Sequence, residues 1–364
     1  MSPEAPIEDV RVKAFEIPTA SPESDGTLEW SKTTLVYVEI VAAATTGIGY
    51  TYADESTATL IQSTFRELLI GKDAFEIRSI WNALYGVTRN LGESGITSMA
   101  VSAVDVALWD LKGKALGVSS ALLLGAVRER VAIYGSGGFT SYDEQELCRQ
   151  LTTWVSAGIP RVKMKIGRDP RADVGRVRAA RAAIGDAAEL FVDANGAYDT
   201  QLALAQAERF AEQRVSWFEE PIFREDYRGT RAVRERVPVG MDISIGEYGY
   251  RPYEFQRMID AQSMDVLQAD ATRCGGYTGL LIVDALCRAS MVPLSTHCAP
   301  SLHISAALAC AQVRHVEYFF DHVRIERMLF DGVLSPEGGT LRADVMRPGI
   351  GLELRSSDAA RFVR

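Results

Sequence analysis

Seven ionisable side chains recur at regular intervals between residues 163 and 297: Lys163, Lys165, Asp193, Glu219, Glu247, Asp270 and His297. The lysines belong to "RVKMKIG", where they alternate with Val162, Met164 and Ile166. Successive side chains of a strand point to opposite faces, so both ammonium groups share one face and the apolar residues take the other. Alone, the pair reads as a solvated strand edge. The next five groups change that reading, because they are spaced 26, 28, 23 and 27 residues apart. Each interval is about one strand-plus-helix unit, which brings the groups to the same end of successive strands.

Three acids gathered in this way raise one another's pKa. A divalent cation is the natural compensation, and all-oxygen ligation by Asp193, Glu219 and Glu247 suits Mg²⁺ better than zinc. A substrate carboxylate on such an ion has an acidified α-proton, because the enediolate left behind is stabilised. Lys165 is the expected base. Lys163 two residues away and the nearby cation are expected to lower its pKa, while Lys163 also meets the substrate carboxylate. His297 is expected to approach from the far side, with Asp270 one unit upstream to orient the imidazole. His303, His315 and His322 have no such company in the sequence, and Cys298 reads as packing.

The scaffold follows from the runs that carry these groups. Eight strand-like runs lie at 131–137, 161–167, 189–195, 215–221, 237–247, 264–270, 292–298 and 316–320, with helical patterns such as "EQELCRQLTTWVSAG" and "YTGLLIVDALCRAS" between them. This alternation predicts a parallel sheet, and eight units favour a closed barrel over an open doubly wound sheet. No GxGxxG follows a strand, so dinucleotide binding has no support. The first third reads as α+β. Strands are expected at "VRVKAFEIP" and "TTLVYVEIVAAATTGIGYTY", with a turn at "TTG". A loop is expected over "TASPESDGTLEWSKT", and helices at "STATLIQSTFRELLIG", "AFEIRSIWNALYGV" and "SMAVSAVDVALWDLKGKALG", the last stopped by Gly117. The tail from about 331 is expected to be irregular and to pack back on the first domain.

Bulk properties narrow the partners. The 364 residues carry 47% hydrophobic and 24% charged residues, an ordinary globular balance. The net charge of −9 argues against nucleic acid. The acidic N-terminus lacks an apolar signal core, and no apolar run suggests a membrane span. Five scattered cysteines without a CxxC pair predict reduced thiols in the cytoplasm and no zinc ribbon.

Taken together, these segments resemble the enolase superfamily and, within it, the mandelate racemase subgroup, over almost the whole chain. "VKMKIG" resembles its KxK strand, "VDANGAY" and "FEEP" its first two metal-ligand motifs, and "GE" at 246–247 the third. Asp270 and His297 match its Asp–His dyad, "VSAVDVALWDLKGKALG" a capping-domain helix, and "EGG" at 337–339 a C-terminal segment. The resemblance implies an α/β fold: a modified TIM barrel, (β/α)7β, over 129–330, and an N-terminal α+β capping domain over 1–128 completed by 331–364. It implies Mg²⁺ on Asp193, Glu219 and Glu247, with Glu220 behind them. Glu317 matches an acid that hydrogen-bonds the enediolate, with Asp321 as a nearby alternative, and Asn195 supports substrate or metal. The capping loop near 18–32 would select substrate through Glu29, Trp30 and Lys32, helped by Arg273 and Tyr198 at the barrel end. The implied activity is dehydration of an acid sugar to a 2-keto-3-deoxy acid, or racemisation or epimerisation of a 2-hydroxy acid as the alternative. A cycloisomerase or dipeptide epimerase is disfavoured, because those relatives usually carry a lysine in place of the Asp–His pair. A non-catalytic metal-binding barrel or a phosphate-handling aldolase is more remote. A small carboxylate partner and a homo-oligomer, dimer to octamer, are expected.

Overall fold

The computed structural model describes residues 5–364. Alternating β-branched and aromatic residues build a three-stranded antiparallel sheet, β1 (Ile7–Ser24), β2 (Glu29–Ala42) and β3 (Thr45–Tyr52), in that order. Two details depart from the sequence expectation. The stretch 19–32 is mostly strand, and only residues 25–28 turn. Pro18 and Pro22 lack ladder amides, and the register shifts between Pro18 and Glu23, so the strand bulges and then resumes. Asp25 closes the turn, its Oδ1 accepting the amides of Thr27 at 2.6 Å and Leu28 at 2.7 Å. The second departure is the β2–β3 hairpin, which turns at Ala43 and Ala44 (φ 49° and 55°) instead of at "TTG". Gly47 and Gly49 have another use. A Cβ on Gly47 would lie 2.2 Å from Ala107 O, and one on Gly49 2.1 Å from Ala103 O. The missing side chains let the helix Ile96–Leu116 lie directly on the sheet. That helix ends at Gly117 in the left-handed region, φ 67°, as expected. The other two expected helices are present at Ile77–Val87 and at Ser56–Leu60 continuing to Arg66–Leu69, with a π segment Ile61–Phe65 between.

All eight expected barrel strands form: β4 (Val131–Gly137), β5 (Arg161–Lys165), β6 (Glu189–Asp193), β7 (Val215–Glu219), β8 (Asp242–Ile245), β9 (Val266–Ala269), β10 (Leu294–Thr296) and β11 (Val313–Phe319). They pair in parallel in chain order, and β11 pairs back to β4, which closes the barrel. A helix follows each of the first seven strands and packs outside. Val162, Met164 and Ile166 are buried on that outer face. Inside, Tyr134, Phe191, Trp217 and His315 form an aromatic floor, with Phe191 and Trp217 stacked at 5.3 Å and His315 4.9 Å from Tyr134. Above this floor the inward residues become charged.

The tail binds both parts. After the helix Phe320–Leu329, Phe330 stacks on Tyr50 of β3 at 5.1 Å. Residues Thr340–Leu341 extend the barrel sheet antiparallel to β4. Asp110 ties helix, sheet and tail together, accepting the amides of Ile48 and Ile350, each at 2.7 Å. No helix among the described residues is long and apolar enough to cross a membrane.

Gly49→Ala should destabilise the protein by about 1–3 kcal/mol, the usual cost of overpacking a filled core. Urea unfolding checks it, and an unchanged midpoint would contradict the close sheet–helix approach.

Candidate active site

Parallel pairing sets the register of the chemistry. Lys165 lies opposite Asp193, and Asp193 opposite Glu219, at the carboxyl ends of β5, β6 and β7. Beyond the strand ends the backbone turns sharply. Asn195 (φ 45°), Glu220 (φ 38°), Cys298 (φ 54°) and Ala299 (φ 38°) all occupy the left-handed region. Such residues are uncommon and concentrate at functional sites.

Neither lysine is a solvated edge: Lys163 is fully buried and Lys165 is 6% exposed. Lys163 Nζ pairs with Glu219 Oε1, lies 2.8 Å from Glu317 Oε1 and 3.5 Å from Asp193 Oδ2, and sits 5.3 Å from the Tyr134 ring centroid. Lys165 Nζ donates to Asp193 Oδ2 at 2.5 Å. Glu219 Oε2 is fixed by the Trp217 indole N–H at 2.9 Å and by Gln268 Nε2 at 2.7 Å. Across the mouth, His297 Nδ1 lies 2.8 Å from Asp270 Oδ2. An ionised carboxylate only accepts, so Nδ1 carries the proton and Nε2 is the nitrogen turned to the mouth. That nitrogen is 3.5 Å from Glu247 Oε2 and 3.9 Å from Glu317 Oε2. The two lysines, the three candidate ligands, the dyad and Glu317 therefore share one mouth.

Neighbouring carboxylates oppose the effect expected of Lys163 on Lys165. Burial works to lower both lysines, but the Asp193 charge holds Lys165 above the usual ammonium range, and Glu219 and Glu317 do the same for Lys163. The carboxylates outweigh the mutual repulsion of the two ammonium groups, so in this arrangement Lys165 is protonated. Asp193 is lowered to about 2, because the two lysines overcome its burial. Glu219 is pushed well up by burial and then by Asp193. Glu317 stays well below the carboxylate range, since the Lys163 charge overcomes burial. Glu317 orients Lys163 through Oε1, and its Oε2 accepts the Cys298 amide at 2.7 Å. Asp270 is likewise low: burial raises it, but the hydrogen bond from His297 prevails.

Asp193, Glu219 and Glu247 each offer a carboxylate oxygen within 4.8 Å of the others. Glu247 Oε2 is buried without a hydrogen-bond partner, as is Glu220 Oε1. A buried oxygen left unpaired is costly, and acids outnumber cations in this mouth. Hard oxygen donors of this kind fit Mg²⁺.

Other expected residues fall in different places. Glu29 is exposed at the rim and pairs with Arg168, and Lys32 pairs outward with Glu16 at 2.6 Å. The Trp30 ring packs edge-on against Phe139. Asn195 is at the mouth with an unpartnered Oδ1. The Tyr198 hydroxyl donates to Asp173 at 2.5 Å, while Arg273 donates to Glu247 O at 3.0 Å and approaches Asp270 at 3.6 Å. Asp321 is engaged by Thr33 at 2.6 Å and Arg324 at 2.7 Å, which leaves Glu317 as the acid at the mouth. His303 does have Asp270 for company, at 3.5 Å. Its Nδ1 faces Ala299 O and its Nε2 accepts the Ala271 amide, and burial holds it neutral, so it supports the loop. Gln268, Trp217 and Glu23 escaped the sequence reading. Gln268 and Trp217 lie two residues before Asp270 and Glu219, the same spacing that singled out the lysines. Glu23 had no such signal, because its segment read as loop.

Glu23 is fully buried. Its Oε2 accepts the Trp30 indole N–H at 3.0 Å, and its Oε1 has no partner. Burial, then the Asp321 charge, raises its pKa to about 8. A carboxyl raised in the folded state binds a proton that the unfolded chain has released. Its stabilising contribution is complete below about pH 4.5 and is lost as pH rises through about 8. Within that window the slope is up to about 1.4 kcal/mol per pH unit. Glu23→Gln should flatten the decline, read from urea midpoints across pH 5–8; parallel profiles for the two proteins would contradict a neutral Glu23.

Comparison with known proteins places this geometry. The mandelate racemase / muconate lactonizing enzyme N-terminal domain family matches residues 9–125, and the enolase C-terminal domain-like family matches 146–359. A solved mandelate racemase/muconate lactonizing enzyme-like protein from Rubrobacter xylanophilus is 48% identical, with a TM-score of 0.97 over 99% of this chain and 100% of that one. A 3,6-anhydro-alpha-L-galactonate cycloisomerase of Streptomyces coelicolor is 33% identical over 87% of this chain and 88% of its own. L-Talarate/galactarate dehydratase of Salmonella typhimurium is 29% identical over 98% of this chain and 91% of its own. Its structure liganded with Mg and L-lyxarohydroxamate aligns with a TM-score of 0.91 at 27% identity, over 100% of this chain and 94% of that one. The chain belongs to the mandelate racemase / muconate lactonizing enzyme family of enolase-like barrels.

Proposed function

We propose that this protein uses Mg²⁺ to remove a proton α to the carboxylate of a hydroxylated acid, and that its reaction is dehydration of an acid sugar to a 2-keto-3-deoxy acid. The observation that carries this reading is the placement of two proton-transfer groups, Lys165 and His297, on opposite sides of one three-carboxylate cradle. Asp193, Glu219 and Glu247 hold the ion. Mg²⁺ supplies, when bound, positive charge that offsets the acids now holding Lys165 protonated and that acidifies the substrate's α-proton. Lys165 takes that proton. Lys163, oriented by Glu317, faces the substrate carboxylate and stabilises charge developing on it. His297, held by Asp270 and carrying a second proton on Nε2, gives that proton to the β-hydroxyl as the C–O bond breaks; water leaves, and the enol relaxes to the 2-keto acid. The aromatic floor excludes water from below. The Salmonella relative, a dehydratase liganded with Mg, supports the metal and the substrate class.

A second reading has its own support. The 33% identical relative is a cycloisomerase of a galactonate derivative. The Asp270–His297 pair therefore weighs less against cycloisomerisation than the sequence suggested. A racemase would use Lys165 and His297 on the two faces of one carbon. The free cysteines support a reducing compartment such as the cytoplasm.

Mono- and diacid sugars incubated with protein and Mg²⁺ should yield a 2-keto acid from a subset. EDTA should abolish turnover, Mg²⁺ should restore it, and Glu219→Gln should lower it by at least about 10²-fold. Full activity in metal-free protein would overturn the cradle assignment, and a cyclised or epimerised product would favour the second reading.

A further inference from the structure

Cys298 has no part in the mechanism above, yet its thiol lies 3.2 Å from His297 Nε2. Glu317 completes a group of three. Its Oε1 is taken by Lys163, while its Oε2 accepts the Cys298 amide at 2.7 Å and lies 3.9 Å from His297 Nε2. One ligand atom from each of His297, Cys298 and Glu317 falls within 4.8 Å of the others. A tetrahedral zinc ion, with bonds of about 2.0–2.3 Å, spaces its ligands by roughly 3.3–3.8 Å. The two gaps from His297 Nε2, 3.2 Å to Cys298 Sγ and 3.9 Å to Glu317 Oε2, approach that spacing. The left-handed turn at Cys298 and Ala299 brings the thiol against its neighbour's imidazole.

The donor set also differs in kind from the cradle. Asp193, Glu219 and Glu247 offer only hard oxygens, whereas this group offers nitrogen, sulfur and oxygen, which favour zinc-like ions over Mg²⁺. Three protein ligands leave the fourth position open, as in catalytic zinc sites. Asp270 stands behind His297 at 2.8 Å, the carboxylate–histidine arrangement that fixes the tautomer of zinc-ligating histidines.

We propose that His297 Nε2, Cys298 Sγ and Glu317 Oε2 form a second cation site, selective for thiophilic divalent ions such as Zn²⁺, and that filling it stops turnover by occupying the His297 nitrogen. As the sulfur–metal bond forms, the thiol proton passes to solvent. The binding half stands on the geometry; the inhibitory half rests on the role proposed for His297.

Anomalous diffraction at the zinc edge, on crystals of the full chain soaked with ZnCl₂ in excess Mg²⁺, locates the ion. A peak between His297, Cys298 and Glu317 is expected. Peaks confined to the Asp193–Glu219–Glu247 cradle or to the surface would overturn the site. In solution, Co²⁺ added to the Mg²⁺-saturated protein should give a thiolate-to-metal charge-transfer band that Cys298→Ser removes. A band persisting in Cys298→Ser would assign the binding to another cysteine and overturn the proposal. Zn²⁺ should inhibit wild-type turnover, and Cys298→Ser should weaken that inhibition at least tenfold. Occupancy of the site by zinc with undiminished turnover would keep the site and overturn the role given to His297.

Discussion

Two ammonium groups buried among carboxylates hold this site together. Lys163 is enclosed by Glu219, Glu317 and Asp193, with the Tyr134 ring beneath it. None of these charges would be tolerated in a barrel interior alone, because desolvating an unpaired ion costs several kcal/mol. Each is tolerable through the others, so the constellation is maintained as a unit. The floor sharpens the effect. Trp217 and Gln268 fix Glu219 from below, and the stacked rings leave little for a displaced charge to turn toward. The acids remain in excess, with Glu247 Oε2 unpaired, and that excess suits the mouth to a cation.

The first domain meets the barrel at the same end. Gly26, in the β1–β2 turn, rests on the ends of β5 and β6, where a Cβ would lie 2.4 Å from Ala194 O and 2.8 Å from Ile166 O. The helices Ile77–Val87 and Ile96–Leu116 hold the far side. Trp81 donates to Gly275 O at 2.8 Å, Ser102 Oγ accepts the Gly275 amide at 2.9 Å, and Ser98 donates to Tyr250 O at 2.9 Å. These bonds secure the loops that follow Asp270 and Glu247. The hairpin thus faces the Lys165 side of the mouth, and the helices hold the Glu247 and Asp270 side.

Much of this was legible in the sequence, because the chemistry repeats with the period of the βα unit. Lys163 and Lys165 reported a two-residue alternation, and the carboxylates reported the strand ends. The same alternation would have flagged Trp217 and Gln268, whose value appears only when neighbouring strands are brought into register. The capping hairpin was less legible. Pro18 and Pro22 read as loop, although the strand continues through a bulge and buries Glu23. The hairpin turns at Ala43 and Ala44 and not at "TTG", because Gly47 serves helix packing. The protonation of Lys165 was also beyond sequence reasoning, since it depends on which carboxylate lies nearest.

The central claim is that Lys165 and His297 stand on opposite sides of the bound substrate: in the dehydration Lys165 takes the α-proton and His297 serves the β-hydroxyl, and an α-epimer would present its proton to His297 instead. Solvent-deuterium exchange at the α-carbon tests it most directly, using Lys165→Ala and His297→Asn with the best substrate and its α-epimer in D₂O. The account predicts that each variant loses overall turnover by about 10²–10⁴-fold or more, while exchange persists only in the epimer that presents its proton to the surviving group. Loss of exchange from the same epimer in both variants, or near-wild-type turnover in either, would contradict a two-faced site.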